Sequence, residues 1–182
     1  LPGHQLHRAG HLRDRGHDVT TLDIDPRFKA DHVRDLMTVS DLAELGGPFD
    51  VILASPPCEC FSVMTIGKNW NKDRTSKTER AANALALAYH TFALVYGWAR
   101  RPGCFYVIEN PRGMLRKLAP RSPDATTWYC RWGMPYAKPT DLWTNIGDMW
   151  PACRTGSLDH RAAPRDSTTD VHGLVFGVPE PK

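Results

Sequence analysis

Two short apolar blocks, each cut off by proline, constrain this chain more than any other feature. Phe49–Ala54 (FDVILA) is a short, mostly apolar block that ends at Ser55-Pro56-Pro57; Cys104–Glu109 (CFYVIE) is a second, cut off at Asn110-Pro111. Runs of this kind suit strands buried in a parallel sheet, and proline forbids further ladder pairing. Between them, Thr78–Arg100 is built of helix formers, with Leu85, Ala88, Tyr89, Phe92 and Val95/Tyr96 at helical spacing as one buried face. His17–Ile24 (HDVTTLDI) is β-branched and reads as a further strand, Asp35–Leu45 as a short helix, and Thr126–Tyr129 and Leu142–Thr144 as two more short strands. Leu1–Gly16 carries no clear strand or helix signature, Gly67–Lys77 reads as a loop, and the Pro-, Arg-, Asp- and Ser-rich stretch after Trp150 reads mostly as loop.

Strands alternating with helices predict an α/β fold with a doubly wound, mostly parallel sheet. The length of 182 residues fits one domain, and 41% hydrophobic with 24% charged residues is a globular rather than a disordered composition. No stretch approaches the ~20 apolar residues that a membrane span needs, and the first residues lack the apolar core of a signal peptide. The net charge of +3 permits a polyanionic partner without arguing for one. The 5 cysteines form no disulfide framework, which predicts a reducing, cytoplasmic setting.

In a doubly wound sheet the ligand sits at the carboxyl ends of the strands. Three such ends here bear reactive groups: Asp23, the Pro56-Pro57-Cys58 turn, and Glu109-Asn110. Two prolines stiffen the turn that presents Cys58, and a rigidly presented thiol near cationic groups can serve as a nucleophile; the alternative is a small buried hydrophobe. Glu109 can serve as a general acid if partial burial raises its pKa; the alternative is a carboxylate paired with Arg112 or capping a helix. Lys68, Lys72, Arg74 and Lys77, interleaved with Trp70, form a basic loop suited to phosphates and base stacking, or simply a solvated one. Cys130, Cys153 and His160 match no standard zinc spacing, so no metal is expected.

Pro57-Cys58 followed by Phe61-Ser62, and a downstream strand ending in Glu109-Asn110, resemble the cysteine and glutamate motifs of the DNA cytosine-5 methyltransferase family. Trp132-Gly133-Met134-Pro135-Tyr136-Ala137-Lys138-Pro139-Thr140 is similar to a third family segment, with Tyr136 at its Gln position, Lys138 at its first Arg and Thr140 at its second. The Ser-Pro-Pro-Cys turn, Glu-Asn-Pro-Arg-Gly and Lys138-Pro139-Thr140-Asp141-Leu142-Trp143-Thr144-Asn145 look most like compact phage-type members. The resemblance spans roughly residues 17–145. The family's glycine-rich opening turn is absent from Leu1–Arg15, and Ile146–Lys182 is short for a separate target-recognition region.

The resemblance implies a Rossmann-like methyltransferase fold, a single catalytic domain over residues 1–182, S-adenosyl-L-methionine as cofactor, and DNA with a flipped cytosine as substrate. It implies Cys58 attacking C6 of cytosine and Glu109 acting at N3, with Asn110 and Lys138 completing the catalytic set. Asp23, Ile24, Asp35 and Pro56 would hold the cofactor; Ser62, Lys68, Trp70, Lys72, Arg74 and Arg112 would contact DNA. Two alternatives share these residues: a related enzyme that adds another group or acts on nucleotides, and a catalytically silent DNA-binding relative.

Overall fold

The computed structural model describes residues 3–132, 134, 136–147 and 150–151. Helix α1 (Gly3–Asp14) is followed by strands β1 (Leu22–Asp23) and β2 (His32–Val33), then β3 (Val51–Ala54), the one-turn helix α2 (Ile66–Asn69), the long helix α3 (Glu79–Trp98), β4 (Phe105–Pro111), the one-turn helix α4 (Leu115–Leu118), β5 (Ala125–Trp128) and β6 (Pro139–Thr144). β1 and β2 pair in parallel as a two-stranded sheet; the other four strands form a second sheet in the order β3-β4-β6-β5.

The fold is mixed α/β. The expected crossover is present: β3 and β4 are parallel, Val51 beside Phe105 and Ala54 beside Ile108, with α3 between them in sequence. The sheet is less parallel than expected, because β6 inserts antiparallel to both β4 and β5. The connection between β5 and β6 is too short for a parallel crossover, so the chain reverses on itself.

Helix α3 begins at Thr78, whose hydroxyl accepts the Ala81 N–H at 3.1 Å. Its Ala81, Ala88, Phe92 and Val95 pack with Tyr106, Ile108 and Trp143 of the sheet. Phe92 meets Trp143 edge-to-face, with ring centroids 5.2 Å apart. Tyr89, expected on this buried face, is instead 44% exposed and donates its hydroxyl to Leu118 O at 2.6 Å. Further along α3, Leu94 and Trp98 join Val39, Leu42, Leu45 and Cys104, against which Leu22 of β1 and Ile52 of β3 also pack. One helix thus covers residues of both sheets. The opposite face of the larger sheet is covered over β5 and β6, where Thr127, Thr140, Leu142 and Thr144 are buried. Over β3 and β4 it leaves Val51, Leu53 and Phe105 about half exposed, so helices do not line both faces of the described sheet.

Other expectations need correction. Leu1–Gly16 contains helix α1, tied down by Arg13, whose guanidinium donates to Asp31 (2.6 Å) and to Val19 O (2.6 Å). The strand expected at His17–Ile24 shrinks to the residues that find partners on β2. The helix expected at Asp35–Leu45 is two 3-10 turns, Leu36–Thr38 and Leu42–Leu45, because Asp35 and Asp41 each start a new one by capping it. β4 runs on through Asn110 and Pro111, since β6 offers them partners in Asp141 and Thr140. Pro111 ends the strand and needs no further N–H.

Asp141 is fully buried on the α3 side of β6. Arg116 of α4 grips it bidentately, Nε to Oδ2 at 2.9 Å and Nη2 to Oδ1 at 2.6 Å, and the Thr126 hydroxyl donates to Oδ1 at 2.8 Å. Deleting one partner of a buried pair leaves the other charge uncompensated. Asp141→Asn should therefore lower unfolding stability by about 3 kcal/mol, as read by urea denaturation.

Candidate active site

The carboxyl ends of β3 and β4 and the amino end of β6 meet at one edge of the sheet, where Ala54 lies beside Ile108 and Pro111 beside Thr140. Cys58, Glu109 and Lys138 come from this edge. Asp23 closes β1 in the smaller sheet.

The turn after β3 has its carbonyls taken almost one after another. Pro56 O accepts from Asn110 Nδ2 at 2.9 Å, and Cys58 O from the amides of Phe61 (2.9 Å) and Ser62 (3.0 Å). Glu59 O accepts from the Thr65 hydroxyl at 2.5 Å, Cys60 O from Trp70 Nε1 at 2.6 Å, and Phe61 O from the Met114 amide at 2.8 Å. Phe61 is fully buried and stacks on Trp70, with centroids 5.7 Å apart and planes 19° apart. Gly113 explains how Met114 comes so close: a Cβ there would lie 2.2 Å from Phe61 O. This packing of the strand-end glycine against the Phe-Ser segment escaped the sequence reading, although a glycine two residues beyond a strand-ending proline marks a close backbone approach.

Within that frame Cys58 is half-buried, whereas Cys60, Cys104 and Cys130 are buried. Burial pushes the Cys60 and Cys104 thiols up from their ordinary range. A buried, protonated thiol is inert, so the hydrophobe reading fits those two and leaves Cys58 as the accessible sulfur among the described cysteines. Glu109 is half-buried, and its side chain makes no hydrogen bond or ion pair among the described residues. Arg112, its expected alternative partner, is exposed and donates only its backbone amide, to Pro139 O at 2.9 Å. Asn110 is 1% exposed, and its Oδ1 is buried without a partner. Through its Nδ2, Asn110 holds the turn from the interior. Lys138 is half-buried, with its ammonium 5.0 Å above the Tyr129 ring.

The residues read as cofactor contacts occupy three settings. Asp23 is half-buried and its Oδ1 accepts the Asp25 amide at 2.8 Å, while Ile24 beside it is 65% exposed. Asp35 is exposed and caps the turn Leu36–Thr38 by accepting the Met37 amide at 2.9 Å. Pro56 is buried, with its carbonyl engaged by Asn110.

Of the residues read as DNA contacts, Trp70 needs correction. It is 2% exposed and stacked inside the protein, so it offers no face to a base. Lys68, Lys72, Arg74 and Arg112 are exposed, and their side chains have no partner among the described residues. Lys77 donates to Gly67 O at 2.8 Å. The presumed loop contains α2 and a small hairpin closed by the Trp70–Ser76 bridge. The Ser62 hydroxyl lies 3.1 Å from that of Thr65.

Of Cys130, Cys153 and His160, the last two lie outside the described residues, and no metal-ligating cluster occurs among the described ones. A hollow of about 330 Å³ bordered by Asp124, Thr144, Asn145 and Trp150 lies at the opposite edge of the sheet, touching none of the candidate residues. No helix among the described residues is long and apolar enough to cross a membrane.

A half-buried thiol, Cys58, follows β3, and a half-buried carboxylate, Glu109, lies near the end of the adjoining parallel strand β4. No protein-family model matches the chain. It is similar to the probable DNA (cytosine-5)-methyltransferase of Frog virus 3 (isolate Goorha), at 29% identity over 115 residues, covering 59% of this chain and 51% of that protein. The chain thus spans about half the length of the curated relative it matches.

Limiting iodoacetamide should alkylate Cys58 well before Cys60, Cys104 or Cys130, in an order read by peptide mass spectrometry. Gly113→Ala should cost about 1–3 kcal/mol of stability through overpacking against Phe61, measured by chemical denaturation.

Proposed function

We propose that this chain carries the nucleophile and the acid of an S-adenosylmethionine-dependent DNA cytosine-5 methyltransferase. The observation that carries the reading is the pairing of one accessible thiol, Cys58, with one unpartnered, half-buried carboxylate, Glu109, on strand ends joined by the Asn110–Pro56 hydrogen bond. The similarity to the viral protein points the same way.

On this reading the thiolate of Cys58 adds to C6 of an extruded cytosine. Glu109 hydrogen-bonds or protonates N3, so that the electrons displaced from the C5–C6 double bond are stabilised in the ring and C5 becomes nucleophilic. When bound, S-adenosylmethionine supplies an electrophilic methyl group at that carbon. Loss of the C5 proton then expels the Cys58 thiolate from C6 and restores the aromatic ring. The target base must leave the duplex to reach the thiol. Lys68, Lys72, Arg74 and Arg112 are exposed, and on this reading they contact phosphates.

The cofactor's nucleoside end fits Asp23 and Ile24. A half-buried carboxylate at a strand end can accept ribose hydroxyls, and the exposed apolar side chain beside it can cover a purine. Asp35 keeps a capping role and can add an acceptor at the exposed end of the same sheet.

The test is nucleoside mass spectrometry on DNA incubated with the protein and S-adenosylmethionine. A gain of one methyl on deoxycytidine is expected; a different added mass would assign a different transferred group, and no gain would reject the reading. Cys58→Ala should abolish transfer with the fold unchanged by circular dichroism. Glu109→Gln should slow transfer by about 10²- to 10⁴-fold, and near-normal turnover would remove it from the acid role.

A further inference from the structure

We propose that Trp70 is a positioning residue for the Cys58 thiol. The proposal rests on the reading of Cys58 as nucleophile and deepens it. Trp70 lies on the far side of α2 from the turn in sequence, yet its indole N–H donates to Cys60 O at 2.6 Å inside the protein. Cys58 sits midway between two points at which the turn's backbone is held by a buried side chain. Two residues before it, Asn110 of β4 grips Pro56 O; two residues after it, Trp70, from beyond α2, grips Cys60 O. Both gripping residues are almost fully buried, at 1% and 2% exposure.

A simple space-filling role would leave the indole N–H as a liability, since a buried donor without an acceptor is costly. Phenylalanine could supply the same stacking on Phe61. The nitrogen is instead matched to a carbonyl of the turn that neither the sheet nor the turn's own amides reach. The ring meanwhile holds Phe61, whose carbonyl is fixed in turn by Met114 against Gly113. Trp70 is also anchored in its own element, through its bridge to Ser76 and its amide's bond to Ile66 O at 2.9 Å. The indole therefore acts as a fixed strut that sets the direction in which the stiff Pro-Pro-Cys turn presents its sulfur. Small displacements of a reacting group cost rate steeply, which is why such a strut belongs beside a nucleophile.

The test is Trp70→Phe in the full chain, with peptide-resolved iodoacetamide labelling as a function of pH and with methyl transfer to DNA. Freed from the strut, Cys58 should alkylate about fivefold faster, the equivalent of one ordinary hydrogen bond. The kcat for transfer should fall about tenfold or more with KM for DNA unchanged. Labelling of Cys104 and Cys130, which are buried away from the strut, should stay at the wild-type rate; their acceleration alongside Cys58 would mean general loosening and would overturn the proposal. Unchanged Cys58 labelling and unchanged kcat in a folded variant would overturn it equally. If Trp70→Phe does not fold, site-specific replacement of the indole by its benzothiophene isostere removes the N–H alone and gives the same readings. If the wild type transfers no methyl group, the labelling profile still decides the strut, so failure of the catalytic reading and failure of this proposal are separable.

Discussion

The hydrogen bond from Asn110 Nδ2 to Pro56 O, 2.9 Å long and sealed from solvent, joins two strand ends that are 54 residues apart in the chain. It ties the start of the turn that bears Cys58 to the end of β4. The β3–β4 ladder stops at Ala54 and Ile108, so beyond that point the backbone has no sheet to hold it. Asn110 extends the sheet's order by one more contact, made by a side chain because proline at 56 and 57 has removed the amides that a ladder would use. Asn110 can do this because β6 continues past it on the other side, with Asp141 as its partner.

Asp141 carries a second consequence. Its carboxylate is buried beside Asn110 on the helix-covered face and is neutralised by Arg116 and Thr126. That pair fixes α4, and with it the Gly113–Met114 segment that receives the Phe61 carbonyl. The turn bearing Cys58 is thus held by the end of β4, by the entry to α4 and by Trp70. All three are rooted in the core that α3 builds against Tyr106, Ile108 and Trp143. The polar edge stays ordered because the apolar layer beneath it is well packed.

Both candidate reactive groups are legible in local sequence. Cys58 directly follows the prolines that end one apolar block and Glu109 closes the other just before Asn110-Pro111, so their placement near strand ends follows from local sequence, and α3 declares itself by its helical spacing. Trp70 was read as a base-stacking residue because basic neighbours surround it, yet it is buried. Composition records which residues flank a ring but not whether the chain folds that ring inward. Helix α1 escaped notice because it lacks an apolar stripe and is held by Arg13 reaching Asp31, a contact invisible in local sequence. The antiparallel entry of β6 was missed for a similar reason: strand direction depends on which partner a strand finds.

By itself, then, the sequence determined the strand–helix–strand unit, the rigid turn and the placement of a thiol and a carboxylate near the ends of its strands, because short-range sterics and hydrophobic periodicity act within a few residues. Only the tertiary structure decided which cysteine is accessible, that Glu109 is left without Arg112, that Asn110 and Trp70 serve the turn from inside, and that Gly113 makes room for Phe61. Those outcomes turn on burial and on partners tens of residues away, and burial is a property of the packed whole rather than of any segment.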